Sequence, residues 1–128
     1  MSQTRLITGC SSGFGYSLAE YVLSQGHEVI ATSRNPSKTP DLASAIESSS
    51  KGKWIALGVT ADAAEISQLM ANAKQAIDGI DIVVNNAGVQ ILGPFEDVGE
   101  QEARNQFETK YWGPSRPVSR TRSITTTR

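Results

Sequence analysis

A glycine-rich segment, residues 8–15, has the composition of a loop that holds a phosphate group. It follows a short apolar run that predicts a buried strand, and it precedes residues at helical spacing. Glycine permits positive φ angles and has no Cβ to keep a phosphate from backbone N–H groups, while a helix N-terminus attracts anions. We therefore predict a dinucleotide phosphate loop, with a plain tight turn as the alternative. Its candidate binding residues are Gly9, Ser11, Ser12, Gly13 and Gly15.

Arg34 lies in the loop that follows the second predicted strand. An acidic residue there would bind the adenosine 2′-hydroxyl of NAD, whereas a planar guanidinium suits the 2′-phosphate of NADP. Ser33 and Ser11 could add neutral hydrogen-bond donors to the same phosphate. The sequence therefore predicts NADP as the cofactor, and a solvated surface arginine is the alternative reading of this position.

A second motif, Asn85-Asn86-Ala87-Gly88, ends a nearly all-apolar run about 70 residues after the glycine loop. Together with the pattern Thr8-Gly9-x-x-x-Gly13-x-Gly15, it resembles the classical short-chain dehydrogenase/reductase family. The resemblance covers roughly residues 5–114, the N-terminal half of such a protein. Taken alone, the second motif could be a simple strand-ending turn.

The resemblance implies roles for individual residues. It implies that Gly9, Gly13 and Gly15 shape the cofactor loop, that Phe14 replaces the usual aliphatic residue, and that the position of Arg34 marks a preference for NADP. It also implies that Asn85 ties the fourth strand to its neighbours. The residues implied to border the adenosine side of the cofactor are Asn86, Ala87 and Gly88.

The chain departs from the family pattern at two places. Where the family commonly has an aspartate that contacts adenine, the sequence has Gly58, and whether Asp62 substitutes is left open. A family asparagine that helps hold a proton-relay water aligns with Lys110.

No catalytic residue is predicted within these 128 residues. The catalytic serine and the Tyr-x-x-x-Lys pair of the family belong beyond the segment present, and no tyrosine of the chain has a lysine four residues later. A tyrosine needs such a lysine to act as an acid in hydride-transfer chemistry. We interpret His27 as a solvated surface imidazole and Cys10 as a packing residue rather than a nucleophile. No metal site is expected, because no Cys/His set has ligand spacing.

The elements that position these residues alternate along the chain. Strands are predicted at residues 6–8, 28–32, 54–59 and 80–84, and helices at residues 14–25, 42–46, 62–77 and about 97–112. Repeated βαβ units predict a parallel sheet with helices on both faces, a doubly wound α/β architecture. With the resemblance, this is a Rossmann-like fold truncated after about four strands. Ligands should bind at the carboxyl ends of its strands.

The charge distribution divides the chain into two parts. Residues 1–114 carry a net charge of −5, whereas residues 115–128 contain four arginines and no acid. We expect a partial Rossmann NADP-binding domain over 1–114 and a basic Arg/Ser/Thr tail over 115–128, disordered or translated out of frame. A basic interaction tail is the alternative.

These observations leave three functional hypotheses. The first is an NADP-dependent oxidoreductase for carbonyl/alcohol hydride transfer, represented here by its catalytically incomplete cofactor half. The second is a non-catalytic dinucleotide-binding module, and the third is a non-functional truncated gene product. NADP(H) is the expected partner, and a small-molecule substrate is expected only if the missing half is present. The near-neutral net charge, the single cysteine and the lack of a long apolar run predict a cytoplasmic protein without nucleic-acid or membrane partners. The homo-oligomer interface typical of the family should be incomplete.

Overall fold

The computed structural model describes residues 1–76, 79–88 and 92–116, which form one parallel sheet flanked by helices. The strands are β1 (Thr4–Ile7), β2 (Glu28–Ser33), β3 (Gly52–Ala56) and β4 (Ile82–Val84). The helices are α1 (Gly13–Ser24), α2 (Pro40–Glu47), α3 (Ala63–Ala76) and α4 (Glu100–Phe107). In the sheet order β3-β2-β1-β4, every pairing is parallel, with Leu6 opposite both Ile30 and Val83.

Successive side chains of a strand point to opposite faces of the sheet, and helices cover both faces. On one face, Ile7, Ala31 and Trp54 pack with buried residues of α1 and α2. On the other face, Leu6 and Ile30 pack with buried residues of α3. This arrangement confirms the predicted doubly wound, Rossmann-like α/β fold.

The strand boundaries differ from the predicted ones by up to three residues. Strand β3 ends at Ala56 instead of residue 59, because the N–H of Ala61 bonds to the carbonyl of Gly58 and closes a turn there. Strand β4 begins at Ile82 instead of residue 80 and lies at one edge of the described sheet.

The last helix is longer and less regular than α4 alone. It continues through a π-helical segment, Glu108–Trp112, and remains helical over residues 113–116. Arg116, in the predicted tail, donates to the Val59 carbonyl and pairs with Glu108. The rest of the tail, and residue 77 of the predicted third helix, lie outside the described residues.

The described residues include neither a membrane-spanning helix nor a cluster of metal ligands. No helix among them is long and apolar enough to cross a membrane. No three of their His, Cys, Asp or Glu side chains come together as metal ligands.

Candidate functional site

The loops after β1 and β4 are joined at the carboxyl edge of the sheet by the buried Thr8. Its hydroxyl oxygen accepts hydrogen bonds from the backbone N–H groups of Asn86 and Ala87, at 3.1 and 3.0 Å. The Asn86 side-chain amide donates in return to the carbonyls of Thr8 and Gly9, both at 3.1 Å. The two motifs found in the sequence therefore form one hydrogen-bonded unit.

The structure assigns the linking role to Asn86 rather than to Asn85. The side chain of Asn85 donates to the carbonyl of Pro114 in the last helix, at 3.4 Å. The implied role of Asn85 in tying the fourth strand to its neighbours stays a prediction, and the contact observed for its side chain is with the last helix.

Gly9 and Gly15 allow close approach between backbone segments. Gly9 has a φ of 73°, and a Cβ on it would lie 2.7 Å from the Cα of Ala87. A Cβ on Gly15 would lie 2.4 Å from the Gly9 carbonyl oxygen and 2.6 Å from the Asn86 amide nitrogen. Any larger residue at either place would separate the glycine loop from the loop after β4.

The N-terminus of α1 is open to a ligand. Ser12 stands at the N-cap without a side-chain capping bond, and the first turn contains no acidic residue. Gly13 has a φ of 57°, and a Cβ there would meet nothing within 4 Å. The first N–H groups of the helix therefore keep the donor capacity that attracts an anion.

A cavity of about 110 Å³ lies where the loops converge. A volume this small fits one portion of a dinucleotide rather than the whole molecule. Six of the predicted binding residues line it: Gly9, Ser11, Ser33, Arg34, Ala87 and Gly88. Four further lining residues were not predicted: Leu57, Val59, Thr60 and Thr109.

A second, more open cavity of about 300 Å³ adjoins the first and shares Ser11, Ser33 and Arg34 with it. Asn35 and Lys38 complete its lining. Lys38 belongs to a single 3₁₀ turn, Pro36–Lys38, whose start is capped by the Asn35 side chain accepting from the Ser37 N–H at 3.2 Å. This capped turn places two cationic side chains beside two serines.

Ser33 is held from behind by a tryptophan that sequence reasoning missed. The indole N–H of Trp54 donates to the Ser33 hydroxyl oxygen at 3.0 Å, and the two residues are 8% and 4% exposed. Both side chains lie on the same face of adjacent strands. Only the pairing of β3 with β2 brings them together, and no local motif signals such a contact.

The remaining candidates surround these cavities without lining them. Phe14 is 87% exposed, and Asn86 acts through its hydrogen bonds to the glycine loop. Ser12, Gly13 and Gly15 shape the start of α1 as described above.

The structure shows what surrounds the two positions that depart from the family pattern, Gly58 and Lys110. Asp62 caps α3, since its carboxylate accepts from the Glu65 N–H at 2.8 Å, and it does not line either cavity. The stem of Arg34 occupies the space beside Gly58, with its Cγ 3.6 Å from the position of a Cβ there. The Cε of Lys110 lies 4.0 Å from the position of a Cβ on Gly88.

The side chains of Cys10 and His27 each form a hydrogen bond with the backbone of the first strand region. The Cys10 thiol is fully buried and donates to the Ile7 carbonyl, and burial raises its pKa from 9.0 to about 11. It is therefore protonated at neutral pH and packs in the core as predicted. His27 is partly exposed, and its Nδ1 accepts from the Gln3 N–H at 3.2 Å.

Comparison with known proteins identifies the family. The family model described as short chain dehydrogenase matches residues 3–121. The oxidoreductase claN of Passalora fulva is 39% identical over 119 residues, which are 92% of this chain and 53% of that protein.

Solved structures give the same result. A short-chain dehydrogenase from Streptomyces avermitilis superposes with a TM-score of 0.84 at 34% identity, over 96% of this chain and 44% of that one. The NADPH-bound carbonyl reductase from chicken fatty liver shares the fold, with a TM-score of 0.84 at 20% identity, over 94% and 50% of the two chains. The chain thus spans about half the length of these proteins, and it belongs to the short-chain dehydrogenase family.

Proposed function

We propose that this chain is the NADP(H)-binding part of an oxidoreductase that transfers hydride between the cofactor and a carbonyl or alcohol. The observation that carries the choice of NADP is the pair of cations, Arg34 and Lys38, beside Ser11 and Ser33. When bound, the nicotinamide would supply or accept the hydride. The residues of this chain would bind and orient the cofactor, and we assign none of them a catalytic role.

The electrostatics of the second cavity favour an anion. No aspartate or glutamate lines it, and among the described residues neither the Arg34 guanidinium nor the Lys38 ammonium has an ion pair. The 2′-phosphate of NADP would offer a guanidinium the charged, bidentate partner that the protein does not. The 2′-hydroxyl of NAD would leave both cations unpaired.

The rest of the dinucleotide fits the neighbouring features. The apolar side chains of Leu57 and Val59 line the smaller cavity together with Ala87 and Gly88, which suits the flat adenine and its ribose. The uncapped N-terminus of α1 and the open space at Gly13 suit the pyrophosphate. The single, buried, unpaired cysteine fits a reducing compartment such as the cytoplasm.

Titration of the 128-residue chain with NADPH and NADH, followed by nucleotide fluorescence, tests this proposal. We expect tighter binding of NADPH. Arg34→Ala should weaken NADPH binding about tenfold or more, because a charge-assisted contact is lost, and leave NADH binding unchanged.

Arg104→Ala is the matched control, because Arg104 forms an exposed ion pair with Glu100 on α4 and does not line either cavity around Arg34. It should alter neither affinity. Equal affinity of the wild-type chain for the two nucleotides, or no binding of either, would contradict the proposal.

A further inference from the structure

The hydroxyl of Ser33 has one hydrogen-bonding direction fixed by the core. A serine hydroxyl has one donor and two acceptor lone pairs, whereas an indole N–H is a donor only. The Trp54 N–H therefore occupies a lone pair of Ser33 Oγ, and the serine proton cannot point toward the indole.

The same proton is not used in a hydrogen bond within the part of the chain that the structure describes. Among residues 1–76, 79–88 and 92–116, the Ser33 hydroxyl donates to no other group. Ser33 lines both cavities at the carboxyl edge of the sheet. Its proton is thus left for a ligand acceptor in those cavities.

We propose that Trp54, through its indole N–H, is a positioning residue that makes Ser33 a donor toward the 2′-phosphate and thereby contributes to selection of NADP over NAD. The proposal rests on the proposed function and deepens it. A phosphate oxygen is acceptor-only when ionised, so it matches a serine held as a donor. A ribose 2′-hydroxyl gains less binding energy from this fixed orientation, because it both donates and accepts. It can therefore also bond to a serine hydroxyl that is free to rotate and accept.

The burial of Trp54 makes this arrangement rigid. The indole packs in the core cluster formed by the face of the sheet that α1 and α2 cover, so its N–H cannot turn toward solvent. A buried indole N–H also needs its acceptor, which keeps the two side chains together in the absence of ligand. Through this hydrogen bond, the core fixes the orientation of the Ser33 hydroxyl at the edge of the binding site.

The test compares NADPH and NADH affinities of the wild-type chain, Trp54→Phe, Ser33→Ala and the double variant. Phenylalanine keeps an aromatic ring in the core and removes the N–H. Trp54→Phe should weaken NADPH binding about three- to tenfold and leave NADH binding within about twofold of wild type. Ser33→Ala should lose at least as much, and the double variant should lose no more than Ser33→Ala, because both changes remove one interaction.

Trp112→Phe is the matched control, since Trp112 is the other tryptophan of the chain and lies on the last helix outside both cavities. It should change neither affinity. A Trp54→Phe chain that keeps the wild-type ratio of NADPH to NADH affinity would overturn the inference and leave the NADP assignment intact. A wild-type chain without a preference for NADPH would instead overturn the proposed function and, with it, this inference.

A second measurement needs no substitution in the core. In a ¹⁵N-labelled wild-type chain, saturating NADP⁺ should shift the Trp54 indole N–H resonance downfield, because donation by Ser33 strengthens the bond it accepts. NAD⁺ should shift it less, and the Trp112 resonance should stay in place with either nucleotide. Equal Trp54 shifts with the two nucleotides would contradict the inference.

Discussion

At Arg34, the residue type led to the hypothesis of a phosphate contact, because an arginine after the second strand of such a sheet can bind the 2′-phosphate of NADP. The structure places Arg34 in the lining of both cavities, and its contact with a phosphate stays a prediction. At Ser33, the type was also informative, but the direction of its hydroxyl depends on Trp54, 21 positions away in sequence. Thr109, in the π-helical segment, lines the smaller cavity although it has no motif of its own, and its hydroxyl donates to the Asn105 carbonyl in α4. Residues that act through a partner on another strand or helix were the ones the sequence could not identify.

The buried thiol of Cys10 predicts a pH dependence of stability. Its pKa is raised in the folded chain to about 11, so folding favours the protonated form. The contribution is fully present below pH 9.0, the ordinary thiol value, and is lost as the pH rises toward 11. Urea unfolding should therefore show a free energy of unfolding that falls in this window, by at most about 1.4 kcal/mol per pH unit from this group.

Cys10→Ala separates this effect from the titration of other side chains. The variant should be less stable than wild type at pH 8 because a buried sulfur is lost, but its stability should fall less steeply above pH 9. Parallel pH profiles for the two chains would show that Cys10 does not titrate as its burial requires.

At the scale of elements, the alternation of strands and helices was predictable because apolar runs and helical periodicity are local properties. The exact strand boundaries, such as the end of β3 and the start of β4, were not, because they depend on which N–H groups find partners on a neighbouring strand. For the junction of the glycine loop with the loop after β4, the sequence predicted only that the two loops lie at the same edge of the sheet. Its chemistry, with Thr8 as acceptor and the Asn86 amide as donor, required the register of β1 against β4.

This junction predicts that Asn86→Asp destabilises the chain. The substitution keeps the side-chain shape but replaces the amide that donates to the carbonyls of Thr8 and Gly9 with a carboxylate that repels them. The loss should be about 2 kcal/mol in the free energy of unfolding by urea. Asn85→Asp is the control and should cost less than about 0.5 kcal/mol, because within the described residues the Asn85 side chain makes a single hydrogen bond, which is long at 3.4 Å. The reverse order of the two losses would show that Asn85 links the loops.

At the scale of the whole molecule, the chain concentrates its recognisable chemistry at one edge of a four-stranded sheet. The loops after all four strands meet there, and each supplies part of the lining of the smaller cavity. Such convergence follows from the parallel topology, which is why the repeated βαβ units also predicted the edge of the sheet at which the cavity lies. The division of the chain at residue 114 stays a prediction, although the family match extends to residue 121.

We propose above all that this molecule binds NADP with its 2′-phosphate against Arg34. Phosphorus-31 NMR of NADP⁺, titrated with pH in the presence and absence of the chain, observes that phosphate directly. A phosphate monoester has a second pKa of about 6, and contact with cations lowers it because they favour the dianion. We predict that saturating wild-type chain lowers the pKa of the 2′-phosphate and that Arg34→Ala removes most of the change. An unchanged 2′-phosphate titration in the presence of the wild-type chain would contradict the account.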